Sequence, residues 1–205
     1  MKTKQRIINQ AILSYNRLGV ANVTSRDVAK AIGISHGNLE YHYPNKEALL
    51  LAIYKQMKKE AAKVYEMKDK DADDPFIHFN ELLKALEHFQ EKYLFFNLDV
   101  LEISRNYPKV GALLAKTFEV RKEQMSHLHQ RFLDIGYLKR ELKPGIYLRL
   151  QHTIRIMITF WCSQKEILPY LETMKKSSMS QYIWELLIPH MTEKGFGAYQ
   201  KLTMN

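Results

Sequence analysis

Apolar residues recur at intervals of three and four along most of the chain, which is the period of an amphipathic α-helix. The first such stripe runs from Ile8 to Leu18, and Gly19 follows it as a residue that commonly ends a helix. No segment sustains the alternation of apolar and polar residues that marks a strand. The pattern therefore predicts an all-α protein of about nine helices.

Three further helices near the N-terminus are marked by residues that favour the N-cap position. These residues are Thr24, Ser35 and Asn45. Asp27 stands three residues after Thr24, which resembles a capping box with Asp in the Glu/Gln position. Gly33 is expected to end the second helix, and Pro44 is expected to end the third.

Longer helical patterns fill the rest of the chain. We predict helices over 75–93, 93–105 and 108–136, one from residue 146, and one over 177–194. The acidic segment 69–75 is expected to form a solvated loop. It divides the chain into an N-terminal domain, 1–60, and a second helical domain, 61–205. The glycine-containing segment 195–197 is expected to fray.

Positive charge is concentrated at the N-terminal end. The 205 residues include 31 Lys and Arg against 22 Asp and Glu, which gives a formal net charge of +9. Residues 1–60 hold ten of the bases and four of the acids, so two thirds of the surplus lies there. This excess favours an anionic partner for the first domain, whereas the second domain requires none.

Several classes of site are disfavoured by the sequence. Cys162 is the only cysteine, which excludes an intramolecular disulfide and a cysteine-built zinc site. The histidines are scattered, and neither a glycine-rich phosphate loop nor a Gly-x-Ser-x-Gly motif occurs, so we predict no enzyme, metal or cofactor. The apolar run 146–162 contains Arg149 and Arg155, and no signal-type segment follows the N-terminus. We therefore expect a cytoplasmic protein without a membrane partner.

The two short helices joined by Gly33 have the spacing of a helix-turn-helix. Gly33 can take the positive φ that the turn needs, and the small side chain of Ala29 lets the helices approach closely. The third helix would then direct its N-terminal residues toward a groove of duplex DNA. An ordinary helical hairpin in a basic surface is the alternative.

Three runs around this turn form a specific motif: VTSRDVA at 23–29, AIGISHGNL at 31–39 and YHYPNKEALL at 41–50. Together they resemble the DNA-binding region of the tetracycline-repressor (TetR) family. The family pattern has a Thr-rich helix start, a Gly-Val-Ser turn and a Tyr-His-Phe-x-x-Lys-Glu-x-Leu finish. The resemblance covers about a quarter of the chain. It implies that the helical remainder is a ligand-binding and dimerisation domain.

The resemblance also implies a set of DNA contacts. Arg26 matches a position that often reaches a guanine edge, although a phosphate contact is an equal alternative. The positions that match phosphate or backbone contacts are Thr24, Ser25, Tyr41, His42 and Lys46. The positions that match His36, Gly37 and Asn38, which follow the N-cap Ser35 at the start of the recognition helix, enter the major groove. For His36 and Asn38, plain exposure is the alternative.

Glu40 departs from the family pattern, which usually has Tyr or another phosphate-tolerant residue at this position. A carboxylate that faced phosphate would be repelled. Glu40 is expected either to accept a hydrogen bond from a cytosine amino group or to pair with a neighbouring Lys or Arg.

One stripe of the helix from residue 146 is too polar for a plain core. It predicts a cavity in which His152 and Arg155 orient a polar or anionic group of a small-molecule effector. An interhelical stripe satisfied by carboxylates is the alternative. Further lining residues are expected to be Thr159 and the aromatic residues Tyr93, Phe96 and Phe118, each of which has core packing as its alternative.

The last two helices are expected to pair with a second copy of the chain. Their bulky apolar face contains Ile183, Trp184, Leu187 and Met191. With the resemblance, this predicts a ligand-responsive transcriptional repressor that binds a pseudo-palindromic operator as a homodimer. The alternative is a DNA-binding architectural or division-associated protein without a small-molecule ligand.

Overall fold

The structure is a computed structural model that describes residues 2–65, 74–168 and 177–204. These residues form eleven α-helices, a short 3-10 helix and one isolated β-bridge, so the all-α prediction is confirmed. The helices are α1 (Thr3–Leu18), α2 (Ser25–Ala31), α3 (His36–His42), α4 (Lys46–Tyr65), α5 (Pro75–Lys92), α6 (Leu94–Leu98), α7 (Val100–Asn106), α8 (Pro108–Asp134), α9 (Ile146–Ile167), α10 (Met179–Leu187) and α11 (Glu193–Thr203).

The count among the described residues is eleven and not about nine, because the predicted helix 93–105 is broken into α6 and α7, and a further helix, α11, begins at the end of the segment 177–194. The segment 93–105 breaks at Asp99, whose carboxylate accepts a hydrogen bond from the Val20 amide at 2.7 Å. The segment 177–194 breaks at Pro189, within the 3-10 helix Ile188–His190. Proline cannot donate the backbone hydrogen bond that an α-helix requires at that point.

The chain folds as two compact units. One contains Met1–Lys63 together with Gln90–Thr117, and the other contains Val64–Phe89 together with Phe118–Asn205. The first unit therefore includes α6 and α7 in addition to the predicted helix-turn-helix. The functional division at residue 60 stays a prediction.

The core of the first unit surrounds the helix-turn-helix. Tyr15 of α1 and Phe95 of α6 are buried, and their ring centroids lie 5.4 Å apart. Leu39 of α3 and Leu49 of α4 are completely buried. Tyr43, which lies between these two helices in the sequence, is also buried. Burial of these apolar side chains fixes α3 on the unit and leaves its other faces for contacts with a partner.

The core of the second unit is rich in aromatic side chains. The ring of Phe76 in α5 lies 4.9 Å from the ring of Phe132 in α8 and 4.9 Å from that of Trp184 in α10. The four residues expected to face a second copy belong to this core: Ile183, Trp184, Leu187 and Met191, each at most 3% exposed. The expectation that these side chains form a dimer surface is therefore wrong, because they are used within the protomer.

The C-terminal segment forms a docked helix and not the frayed end expected from its glycines. The Thr192 hydroxyl accepts a hydrogen bond from the Gly195 amide at 3.0 Å and donates one to the Gly136 carbonyl at 2.7 Å. Gly195 is buried against the backbone of Tyr137. A glycine is required there because a Cβ atom would meet that backbone, so the residue that suggested fraying is the one that permits docking.

Candidate nucleic-acid interface and ligand cavity

Helix α2 begins at the capping box that the sequence predicted. The Thr24 hydroxyl accepts a hydrogen bond from the Asp27 amide at 3.2 Å, and both the hydroxyl and the amide of Thr24 donate to the Asp27 carboxylate at 2.6 and 2.8 Å. These two hydrogen bonds from Thr24 lower the pKa of Asp27. Because both donors of Thr24 are engaged, this residue orients the helix, and the exposed Arg26 projects from its first turn.

The turn between α2 and α3 has the hydrogen bonds of a Schellman motif. Gly33 has φ +69°, its amide donates to the Lys30 carbonyl, and the Ile34 amide donates to the Ala29 carbonyl. The Arg6 guanidinium also donates to the Ile32 carbonyl at 2.8 Å. The glycine required by the sequence argument is therefore in the left-handed conformation, and Arg6 stabilises the end of α2.

Helix α3 exposes the face expected to meet DNA. Its N-cap Ser35 accepts a hydrogen bond from the Asn38 amide at 3.2 Å, and a hydroxyl that accepts can still donate. Gly37, Asn38 and Tyr41 are exposed, and Tyr41 retains 85% of its accessible surface. His36 and His42 are half-buried.

Glu40 lies beside His36 on the exposed side of α3. Its carboxylate oxygen is 3.6 Å from the His36 Nε2, which is a salt bridge when the histidine is protonated. The sequence left two roles open for Glu40: contact with a cytosine or pairing with a neighbouring Lys or Arg. In the unbound protein Glu40 pairs with a neighbour, which is His36 and not Lys or Arg. Both groups stay partly exposed, so DNA has access to them.

Lys46 is engaged inside the first unit. Its ammonium donates a hydrogen bond to the Val20 carbonyl and lies 5.8 Å from the Tyr15 ring centroid. Burial lowers the pKa of Lys46, while the charges of Glu102 and Asp99 act in the opposite direction. This lysine, expected from the sequence to contact the DNA backbone, ties the loop after α1 to the start of α4.

Residues 90–117 support the helix-turn-helix with hydrogen bonds that sequence reasoning missed. The Asn16 side chain donates to the Lys92 carbonyl at 3.0 Å and accepts from the Phe95 amide at 3.0 Å. Glu47 of α4 accepts from the Lys109 amide at 3.0 Å. These pairs are separated by more than sixty residues, and no local periodicity encodes them.

The second unit contains a cavity of about 100 Å³ between α5, α8 and α9. Its walls are mostly apolar, and its polar side chains come from α8 and α9. The apolar lining consists of Phe79, Leu82, Leu83, Leu86, Phe118, Met125, Leu148, Ile154 and Ile158. The polar lining consists of Arg121, Lys122, Gln151, Arg155 and Thr159.

Three of the six residues predicted to bind a ligand line this cavity: Phe118, Arg155 and Thr159. Tyr93 and Phe96 do not, since both are buried in the first unit, where Phe96 stacks on Tyr54 with centroids 5.5 Å apart. His152 is exposed on α9, and its Nδ1 lies 3.2 Å from an Arg155 nitrogen. Tyr93, Phe96 and His152 are therefore not among the lining residues of this cavity, and their part in ligand binding stays a prediction.

The cavity also has lining residues that the sequence analysis did not single out. Arg121 and Lys122 lie on α8, and the apolar side chains of α5 form one wall. The spacing of Phe118, Lys122 and Met125 would have marked a face of α8 that combines apolar and basic residues.

Two other kinds of site are absent from the residues that the structure describes. Within 2–65, 74–168 and 177–204, no group of three or more His, Cys, Asp or Glu side chains is arranged to hold a metal ion. No helix in these ranges combines the length and the hydropathy needed to cross a bilayer.

A chain that combines a basic helix-turn-helix with a second helical unit containing an apolar cavity has the features of a DNA-binding regulator. Family models support this class. Residues 7–53 match the model described as bacterial regulatory proteins of the tetR family, and residues 54–199 match one described as a bacterial transcriptional repressor, TetR. The chain belongs to the TetR family of DNA-binding transcriptional regulators, and it is therefore not an enzyme.

Solved structures share the fold. A TetR-family regulator from Marinobacter aquaeolei VT8 superimposes with a TM-score of 0.82 at 18% identity, over 95% of this chain and 93% of that one. A putative regulator from Saccharomonospora viridis, in complex with choline, gives 0.72 at 18%, over 93% and 97%. The fatty acid degradation regulator FadR from Bacillus halodurans gives 0.67 at 15%, over 91% and 93%.

Proposed function

We propose that this protein is a repressor that binds a pseudo-palindromic operator as a homodimer and is released by a small-molecule effector. The observation that carries the proposal is the exposed face of α3, bounded by Ser35 and Tyr41, in a unit whose sequence is strongly basic. Two copies of α3 in successive major grooves would lie about 34–36 Å apart, one turn of DNA.

The DNA contacts divide by chemistry. Arg26 and Asn38 are both exposed. The guanidinium of Arg26 suits a guanine edge, and the side-chain amide of Asn38 suits an adenine edge. Phosphate contacts are assigned to Ser25, Ser35, Tyr41 and the ring of His42, with close backbone approach at Gly37 and either kind of contact at His36. Thr24 acts by positioning, since both of its donors are hydrogen-bonded within the protein, and Lys46 does so because its half-buried ammonium is held at the Val20 carbonyl.

The dimer surface is assigned to α9. Ile156, Phe160 and Ile167 are 48%, 37% and 66% exposed, and their spacings of four and seven put them on one face of the helix. This face points away from Ile154 and Ile158, which line the cavity on the other side of the same helix. A row of exposed apolar side chains on a long helix is a surface that a second copy can cover.

Release follows if the effector binds more tightly to a dimer geometry in which the two recognition helices no longer match the operator. The free energy by which the effector can shift the equilibrium between the two dimer geometries is limited to the difference in its binding free energy for them. This difference is about 1–3 kcal/mol in typical cases. The apolar cavity with Arg121, Lys122 and Arg155 at its polar positions supports an effector site in the second unit.

In vitro selection of random duplex DNA by the full-length protein tests the DNA-binding part of the proposal. We expect enrichment of a two-fold symmetric site with half-sites about one helical turn apart. Asn38→Ala should alter the enriched half-site, whereas the matched control Gln10→Ala on α1 should not. Enrichment without symmetry, or without sequence preference, would support the architectural alternative and overturn the proposal.

A further inference from the structure

We propose that the effector is an amphiphile with an apolar tail and an anionic head, and that Arg155, Arg121 and Lys122 bind the head. This inference rests on the proposed function and specifies the ligand class of its effector site. The first observation is the charge of the lining: among the residues that the structure describes, three basic side chains and no carboxylate line the cavity.

The register of α8 against α9 places the three basic side chains at one level, that is, at about the same position along the two helix axes. The Ser126 hydroxyl donates to the Gln151 side chain at 3.1 Å, and the His129 and Tyr147 rings lie 4.2 Å apart. The residue later in α8 is paired with the residue earlier in α9, so the two helices are antiparallel. One turn beyond the Ser126–Gln151 pair, this register sets Lys122 opposite Arg155, with Arg121 next to Lys122.

Groups already beside Lys122 and Arg155 neutralise these two side chains only in part. Lys122 lies 3.5 Å from Glu119, but both side chains are exposed, so water screens the pair. The Arg155 guanidinium lies beside His152, 3.2 Å from its Nδ1. Three like charges at one level repel one another, and an anion bound among them would remove that cost.

The deep wall of the cavity suits a hydrocarbon tail. Phe79 and Leu83 of α5 are 1% exposed, and Ile154 of α9 is 3% exposed. Lys122, by contrast, is exposed to solvent, and Arg155 is partly exposed. A tail that enters between α5 and α9 would bury apolar surface, which is favourable, while the head stays at the basic level near solvent.

Calorimetric titration with three probes that are each built on an eight-carbon chain tests this assignment. The probes are octanoate, 1-octanol and octyltrimethylammonium, all used below the concentration at which they form micelles. We expect octanoate to bind about tenfold or more tightly than either of the others, because only its head forms charge-assisted contacts with the bases. Equal affinity for octanoate and octanol, or tighter binding of the cation, would overturn the proposal.

Two variants locate the head. Arg155→Met and Lys122→Met keep the apolar stem and remove the charge, so each should weaken octanoate binding several-fold or more and leave octanol binding unchanged. Arg149→Met, on α9 but outside the lining, should change neither affinity. A loss of both ligands in Arg155→Met with an unchanged thermal midpoint would mean that the residue supports packing and not the head, which contradicts the assignment.

Operator binding is measured separately, by fluorescence anisotropy with the selected duplex and octanoate. If octanoate binds with the expected preference but does not release DNA, the ligand class stands and effector-controlled repression fails. If another small molecule releases DNA and octanoate does not bind, repression stands and the ligand class proposed here is wrong.

Discussion

Arg26 is the residue on which sequence-specific recognition depends in the proposed complex. It is exposed in the first turn of α2, with Asp27 held in the capping box beside it. Arg26→Ala should cost about 1–3 kcal/mol of operator affinity and relax the preference at one base pair. Affinity measured on operators with single base changes checks this. A uniform loss on all of them, as expected for the exposed Lys30→Ala on the same helix, would reassign Arg26 to phosphate.

Lys46 should contribute to stability and not to the salt dependence of DNA binding. Its ammonium donates to the Val20 carbonyl, so Lys46→Met should lower the free energy of unfolding by about 1–3 kcal/mol. The exposed Lys55→Met on the same helix is the control and should have little effect. Loss of a phosphate contact would instead reduce the slope of log affinity against log salt by about 0.9, which would contradict this role.

His129 makes the free energy of unfolding depend on pH. Its Nε2 is buried without a hydrogen-bond partner in the part of the chain that the structure describes, and burial lowers its pKa below the ordinary value. The unfolded chain therefore binds this proton at higher pH than the native protein does. The contribution of neutral His129 to the free energy of unfolding is complete above about pH 6.5 and is lost as the pH falls through the native pKa. The loss is about 1.4 kcal/mol for each unit by which the native pKa is lowered.

Chemical denaturation at several pH values between 5 and 8 measures this effect. His129→Gln should make the free energy of unfolding less dependent on pH in this range, because one proton-linked term is removed. His127→Gln, at an exposed position two residues away, should leave the dependence as it is. Identical pH profiles for His129→Gln and the unmodified protein would contradict the assignment.

At the scale of elements, the docking of α11 depends on a missing side chain. A Cβ at Gly195 would clash with the Tyr137 carbonyl oxygen and lie 2.8 Å from its carbonyl carbon, whereas one at Gly197 would meet nothing within 4 Å. Gly195→Ala should therefore destabilise the protein by about 1–3 kcal/mol or more. Gly197→Ala should stabilise it by about 0.5–1 kcal/mol, since alanine favours a helix over glycine. Equal thermal midpoints for the two variants would contradict the close approach.

Helix starts could be predicted from the sequence because capping is local. Thr24, Ser35 and Asn45 each accept a hydrogen bond from an amide three residues later, as their residue types predicted. The helix break between α6 and α7 could not be predicted in the same way. The break at Asp99 depends on the Val20 amide, 79 residues away in the sequence, and an Asp within an apolar pattern gives no sign of such a partner.

The proposed dimer joins two whole molecules through a single helix face. If the exposed face of α9 forms the contact, Phe160→Asp should weaken dimerisation by about 2 kcal/mol or more, which is roughly thirtyfold. Analytical ultracentrifugation over a range of concentrations measures this. Leu101→Asp replaces another exposed apolar residue, on α7, and should leave the dimer intact. A Phe160→Asp protein that remains dimeric at low concentration would contradict the assignment.

The two functional regions could be predicted from the sequence to different extents. The helix-turn-helix is specified by neighbouring residues, so Gly33 and the exposed recognition helix could be read from one short segment. The cavity is made by α5, α8 and α9, and its lining depends on how these helices rotate against one another. Arg155 and Arg121 come together only through that packing, whereas Tyr93 and Phe96, with the same apolar pattern, pack in another unit.

Helix α9 carries the cavity proposed to bind the effector on one face and the proposed dimer contact on another. Two binding equilibria that share a rigid element are linked, so the affinity for one partner depends on the occupancy of the other. The apparent dissociation constant for the effector would then vary with protein concentration across the range in which dimers form. A cell would set the effector threshold for gene release partly by how much of this regulator it makes.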